Sequence, residues 1–360
     1  MKNAAQRMPG RLIFSGIRPR TATKILAGVL ATAAAFTAAG CSGLGGTSAS
    51  GSGNEKVNLA AGSSTSNAAA IANGTTAGFQ VVTLNDKRDI TFNQLLGINN
   101  SGQIAGYFGS GNAGHPNKGY LLTPPFSQGN FHNENFPGSV QTQVTGLDDR
   151  GITVGFFSTQ NGATPADDNN FGFWSQFGRF HKVNFPTRNN ANPPVNQLLG
   201  VNNFGVTVGF YVDAAGNSHG YTFTPRTGRF HTVTIPGATS LTAAAINDEG
   251  DIAGFFTNAA GDTDSFVKWH NGRVTTYAAP GASATNATGI NDRGEVVGTL
   301  TVGTGDNAVT HGFTLMNGNF TTVDYPAASS TSVNGVNNEG DIVGFYTDAA
   351  GNTDGFVGLP

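Results

Sequence analysis

The side chains that could do acid–base or metal chemistry recur along the chain rather than gathering in one place. Of the seven histidines, His132, His181 and His231 each follow a phenylalanine in matching segments, and His219 and His311 share a second position. A histidine acting as general acid or base is normally one special residue. Histidines locked to a repeat read as edge-strand or turn residues that satisfy their own hydrogen bonds. Three oxygen-rich segments, Asp213-Ala-Ala-Gly-Asn217, Asp348-Ala-Ala-Gly-Asn352 and Asp262-Thr-Asp264, raise the question of calcium. Calcium takes about six to eight oxygens, and none of these segments has the carboxylate density of an EF-hand loop. Asp/Asn-x-x-Gly is first a turn signature, in which the side-chain oxygen accepts backbone N–H groups. No Gly-x-Ser-x-Gly elbow, Walker loop, His-Glu-x-x-His or paired-Cys motif occurs. The residues thus assign no catalytic group, no metal ligand and no cofactor.

The elements that carry these segments form a repeat. Ala245-Ile-Asn-Asp-Glu-Gly-Asp-Ile-Ala-Gly-Phe-Phe256 matches Gly335-Val-Asn-Asn-Glu-Gly-Asp-Ile-Val-Gly-Phe-Tyr346, and related stretches begin at Gly97, Gly146, Gly200 and Gly289. The marker falls at Asn99, Asp148, Asn202, Asn247, Asn291 and Asn337, with spacings of 49, 54, 45, 44 and 46. Periods of this size belong to four-stranded propeller blades. The fourth repeat shows the four strand signals: Thr242–Asn247, Asp251–Phe256, Ser265–Trp269 and Arg273–Tyr277. Asn-Gly at 271–272 and 317–318 marks hairpins between the third and fourth. The second strand ends in adjacent aromatics in most repeats, such as Phe255-Phe256. Adjacent strand residues face opposite sides, so both faces need cover. The chain ends just after a sixth third strand, while Phe79–Leu84 matches the fourth strand Phe320–Tyr325. The expected fold is all-β: a six-bladed β-propeller of four-stranded antiparallel blades over residues 79–360, its ring closed by the N-terminal strand.

The Gly-Ile-Asn-Asp-x-Gly-x-Ile-Val-Gly core, followed by His311-Gly312-Phe313 or His219-Gly220-Tyr221, resembles the bacterial extracellular repeats called the HAF family. Here the family's His-Ala-Phe step is mostly His-Gly-Phe or Asp354-Gly-Phe356. The resemblance covers residues 79–360 and implies export and repeat architecture. It brings no catalytic residues to carry over.

Residues 1–40 read as an export signal. They hold six cations and no acid, ending in the apolar run Ile25–Gly40, too short at 16 residues for a typical bilayer span. The step Ala38-Ala39-Gly40-Cys41 resembles the lipobox of bacterial lipoproteins, which implies that Cys41 becomes the lipidated first residue of the mature chain. Ser42 resembles the outer-membrane sorting pattern of those lipoproteins. Cys41 is the sole cysteine, so no intramolecular disulfide can form. Residues 42–78 are Gly, Ser, Ala, Thr and Asn with few charges, and read as a flexible tether. Removing the six leader cations leaves 13 of the 19 against 22 acids, a net of −9. That balance repels phosphate backbones, so no nucleic-acid partner is expected.

In an up-and-down blade, the one–two and three–four turns share one side of the disc. The one–two turn is short in all six repeats, so length variation falls chiefly on the opposite side, where insertions often build binding faces. The candidate ligand-binding residues are therefore Asn161, Asp167 and Asp168 in one loop, with Arg188, Asn189 and Asn190 in the next. The function that fits is a lipid-anchored binding or scaffolding module for an envelope or extracellular ligand. The alternative is a propeller hydrolase or lyase, calcium-dependent or not, acting on an ester or glycan. Carboxylates and Asn from different blades around the channel mouth would favour the enzyme, and apolar or Thr packing there the binder.

Overall fold

A computed structural model describes residues 73–112, 114–162 and 167–360. The export signal, Cys41 and most of the expected tether lie outside the described residues. An N-terminal hairpin, β1 (Asn73–Thr76) and β2 (Phe79–Thr83), comes first. The first repeat contributes β3 (Asn93–Ile98), β4 (Ile104–Phe108), β5 (Lys118–Leu122) and β6 (Phe131–Asn133). The second gives β7 (Gln141–Leu147), β8 (Ile152–Ser158), β9 (Phe171–Gln176) and β10 (Arg179–Val183). The third gives β11 (Asn196–Val201), β12 (Thr207–Val212), β13 (Ser218–Thr224) and β14 (Arg229–Thr232). The fourth gives β15 (Ala238–Ile246), β16 (Ile252–Asn258), β17 (Thr263–Lys268) and β18 (Val274–Tyr277). The fifth gives β19 (Ala284–Ile290), β20 (Val296–Val302), β21 (Val309–Met316) and β22 (Asn319–Val323). The sixth ends the chain with β23 (Ser330–Val336), β24 (Ile342–Thr347) and β25 (Thr353–Leu359).

Within each repeat the strands pair antiparallel in chain order. β2 lies against β25, with Gln80 opposite Leu359 and Thr83 opposite Phe356, in the place of a fourth strand. One expectation is corrected here. The tether reading ran to residue 78, but Asn73–Thr76 pairs along β2 as a fifth strand. Ala77 and Gly78 turn the chain with φ of 50° and 90°, the two positive values of a tight hairpin turn. Backbone pairing on an edge strand needs no apolar side chain, so the composition of this stretch concealed it.

A β-bulge interrupts every first strand at the same place, between Leu95 and Gly97, Val144 and Gly146, Leu198 and Gly200, Ala243 and Ala245, Ala287 and Gly289, and Val333 and Gly335. The extra residue bends the strand. The second-strand glycine is fixed by close approach: a Cβ on Gly254 would lie 2.0 Å from the Thr242 carbonyl oxygen and 3.0 Å from the Phe266 ring. The third-strand aromatic lies over that glycine, and Phe266 is fully buried.

Apolar clusters bridge consecutive repeats. Val154 of the second packs with Leu198 and Tyr221 of the third, and Ala253 of the fourth with Val296 and Phe313 of the fifth. Val343 and Val357 of the sixth pack with Leu95, Ile104 and Tyr120 of the first. Each sheet thus buries both faces, which is why paired aromatics such as Phe255 and Phe256 are both buried. Deleting one such ring to Ala typically costs about 3–5 kcal/mol.

Candidate functional site

The short one–two turns meet on one side of the molecule. In the fourth repeat, Asn247 Oδ1 accepts the Asp251 N–H at 2.8 Å, and its Nδ2 donates to the carbonyl of Asn291 in the next repeat at 3.1 Å. Asn99, Asn202, Asn291 and Asn337 donate in the same way to Asp148, Asn247, Asn337 and Asn99. The following residue makes a second circuit. Each backbone N–H donates to the Oδ1 of its counterpart one repeat on, in the order Asn100, Asp149, Asn203, Asp248, Asp292, Asn338 and back to Asn100, at 2.8–2.9 Å. These twelve residues line a cavity of about 70 Å³.

Asp148 breaks the pattern. Its Oδ1 accepts the Arg150 and Ile152 N–H groups, as an asparagine oxygen does, but Oδ2 stands where the other repeats have a donating amide. That buried oxygen has no hydrogen-bond partner. Burial pushes the Asp148 carboxyl above the ordinary range, opposed by the Ile152 and Arg150 N–H groups.

Further inside, the bulge residues Leu96, Thr145, Leu199, Ala244, Thr288 and Asn334 line a second cavity of about 50 Å³ with Phe255. Thr145 donates to the Leu198 carbonyl and Thr288 to that of Val333, both at 2.8 Å. The two tests posed for the channel therefore divide. The turn-side mouth carries Asn and carboxylates, while the interior is mainly apolar and Thr. The mouth's Oδ1 atoms are occupied by backbone N–H groups.

Two of the oxygen-rich segments, read from the sequence as turns, are turns. Asp213 Oδ1 accepts the Ala215 and Asn217 N–H groups, both at 2.9 Å, and Oδ2 meets His219 Nε2 at 2.9 Å. Asp348 accepts Ala350 and Asn352 in the same way at 2.8 Å. His132, His181 and His231 are exposed on strands β6, β10 and β14, and His181 stacks on Trp174 with ring centres 4.2 Å apart.

The loop side holds a different kind of site. A cavity of about 20 Å³, room for one water, is lined by Asn117, Gln141, Thr142, Gln143, Phe156, Phe157, Ser158, Asp168, Asn170 and Gln197. Asp168 is buried, takes the Gly162 N–H at 2.7 Å and accepts from Gln141 Nε2. Burial raises its carboxyl, with the Gly162 N–H pulling the other way and Asp167 adding to the rise. Gln141 Nε2 also reaches Asn161 Oδ1 at 3.4 Å. Gln143 Oε1 is buried without a partner.

Asn161 and Asp168, two of the expected binding residues, thus converge on Gln141. Asp167 is exposed beside them. Arg188, Asn189 and Asn190 lie on the neighbouring loop, which a parallel bridge between Asn170 and Val195 fastens to the first. They do not line the cavity. Arg188 and Asn189 are exposed, while Asn190 Nδ2 bonds the Thr187 carbonyl at 2.9 Å and leaves its Oδ1 unpartnered. Sequence reasoning missed Gln141, Gln143 and Gln197. One signal was available: Gln94, Gln143 and Gln197 occupy a first-strand position that holds Thr242, Asn286 and Ser332 in the later repeats.

No protein-family model matches the chain. No curated protein matches it either. Solved structures do. An ulvan lyase of polysaccharide lyase family PL25 has a TM-score of 0.41 at 12% identity, covering 72% of this chain and 77% of that one. TolB from Acinetobacter baumannii has a TM-score of 0.46 at 12% identity, over 75% of this chain and 64% of that one. The Aleuria aurantia lectin in complex with Fucalpha1-6GlcNAc has a TM-score of 0.44 at 11% identity, over 74% and 91%. These neighbours are β-propeller-like proteins, and the likeness concerns the arrangement of sheets alone.

Proposed function

We propose that this chain is an exported, lipid-anchored six-bladed β-propeller of HAF type that binds a hydroxyl-bearing ligand of the cell envelope or its surroundings on its loop side. Closure of the ring is supported by the bonds from the sixth repeat to the first: Asn338 N–H to Asn100 Oδ1 at 2.9 Å, and Asn337 Nδ2 to the Asn99 carbonyl at 3.4 Å. Export and the anchor rest on the leader, the apolar run and Cys41, with the outer membrane as the expected address. Binding is favoured over hydrolysis because three of the four mouth carboxylates, Asp149, Asp248 and Asp292, each already accept a backbone N–H from the preceding repeat.

The observation that carries the reading is the Gln141–Asp168 cavity. It sets a buried carboxylate beside the unpartnered Gln143 Oε1, so it presents acceptors to an incoming O–H or N–H donor. An unmet buried acceptor costs about 1–3 kcal/mol, which a ligand hydroxyl would relieve. The test is binding of the full chain to a panel of neutral envelope and extracellular glycans, for Asp168→Asn and Gln143→Leu against the parent. Loss of binding with an unchanged melting point is the expected result. Equal binding by all three proteins would move the site elsewhere.

A further inference from the structure

We infer that the turn side of repeats two and three is a docking surface for an anionic lipid membrane, independent of the loop-side cavity. Phe177 is 84% exposed and has a φ of 50°, at the first central position of the β9–β10 turn. Left-handed backbone disfavours a bulky side chain, and the matching β21–β22 turn uses Asn317-Gly318 with φ of 52° and 82°. The fold alone therefore calls for Asn here. Phe204, 68% exposed, sits in the one–two turn of the third repeat at a position that is polar or charged in the other five. Their turns adjoin: a Cβ on Gly151 would lie 3.3 Å from the Phe177 ring, and one on Gly205 would lie 3.5 Å from Ile152 Cδ1.

The charge around this patch is mostly positive, with Asp149 the exposed acid beside Arg150. Arg150 in the one–two turn of repeat two, Arg179 beside the β9–β10 turn, and Arg226 and Arg229 at the β13–β14 turn are exposed on this side, and none of them forms an ion pair among the described residues. The turn side of the later repeats carries Asp248, Glu249, Asp292 and Glu339 against Arg273 and Arg293, the latter 3.7 Å from Glu295. In this sector the exposed arginines outnumber the exposed acid Asp149, around two protruding aromatic side chains.

Arginines alone would fit any polyanion. Phenylalanines on turn tips, outside any cavity, add the chemistry of a headgroup–acyl boundary: rings enter the interface while guanidinium groups meet lipid phosphates. Cys41 and Asn73 are 32 residues apart, about 110 Å of extended chain, so an anchored Cys41 leaves this side free to face the bilayer.

The test places an environment-sensitive fluorophore on Thr227→Cys in the full chain, with Cys41→Ser leaving a single thiol. Vesicles are phosphatidylcholine with or without phosphatidylglycerol, and doxyl lipids serve as quenchers. Thr227→Cys and Cys41→Ser are common to every protein compared, so differences in the dye signal between variants report contact by this face. The expected result is a blue shift and quenching on anionic vesicles, weakened about fivefold by each Arg→Gln change. Phe177→Asn with Phe204→Ser should abolish it. Phe177→Asn restores the turn used at Asn317 and keeps the fold, so its loss of contact reads as docking. An unshifted dye on anionic vesicles overturns the proposal. So does an undiminished signal in the Phe177→Asn, Phe204→Ser protein, or an equal response to dextran sulfate without lipid, which would mark a polyanion or nucleic-acid site.

Discussion

Asp148→Asn should stabilise this protein, by an amount that depends on pH. Five repeats place an amide Nδ2 against the next repeat's carbonyl at 2.9–3.4 Å, and Asp148 Oδ2 alone stands there without a partner. Asparagine would supply the missing donor to the Asn202 carbonyl. One such bond contributes about 1 kcal/mol, and removing an unmet buried oxygen adds up to a similar amount. At neutral pH the gain is about 1–2 kcal/mol, or about 2–6 °C in melting temperature for a domain of this size. The sign with pH follows from burial, which raises the folded-state carboxyl above its unfolded value of about 3.9. The protonated acid can itself donate to Asn202, so its stabilisation is complete below that unfolded value. It is lost as pH rises through the higher folded one. The advantage of Asp148→Asn should therefore be near zero at acid pH and grow toward neutrality. Thermal denaturation of both proteins across that range is the assay. A constant difference, or a less stable variant at pH 7, would refute the reasoning.

Tyr221→Phe should raise stability by about 1 kcal/mol in chemical denaturation, because its hydroxyl is fully buried without a partner where Phe173, Phe266, Phe313 and Phe356 do the same packing. No change would mean that a water already serves that hydroxyl. Deleting 79–84 should lower the melting temperature by more than 10 °C: it strips the partner strand from β25 and removes the Thr83 hydroxyl that bonds Tyr325 and Tyr346 at 2.8 and 2.9 Å. Deleting 45–70 should leave it unchanged, and matching melting curves for the two truncations would defeat the proposed ring closure.

The strands were legible because their signals are local. Period, turn residues and paired aromatics sit within a few positions of one another, and β15 to β18 fall within a few residues of the expected spans. What escaped depends on neighbours distant in sequence. The bulge in each first strand cannot be seen in one copy, since the shift shows only against its partner. Nor could Gly254 be read as a steric necessity before the Thr242 carbonyl was placed 2.0 Å from its missing Cβ. The Asn/Asp marker was recognisable as a turn, but its amide works between repeats, 44–54 residues along the chain. Asn161 and Asp168 could be picked from loop length. Gln141 and Gln143 could not, because a glutamine in a strand looks like any other polar face until burial is known.

A repeated framework supplies its own internal control. What the fold requires appears in every copy, as the bulge and the close glycine do, and the Asn amide to the next carbonyl appears in five of the six. A position where most copies agree and one departs needs another cause. Repeats two and three hold several such departures: Asp148 for Asn, Phe177 in an Asn-type turn, Phe204 for a polar residue, and the long loops that carry Asp168 and Arg188. Several of them burden the folded state, through an unpartnered carboxylate oxygen or a bulky residue at positive φ. Comparable costs occur elsewhere: Phe126 in the first repeat has a φ of 62°, and the buried Tyr120 hydroxyl there has no partner. What distinguishes repeats two and three is that their departures lie at both ends of the same strands, where the proposed loop-side cavity and turn-side patch would each make contact.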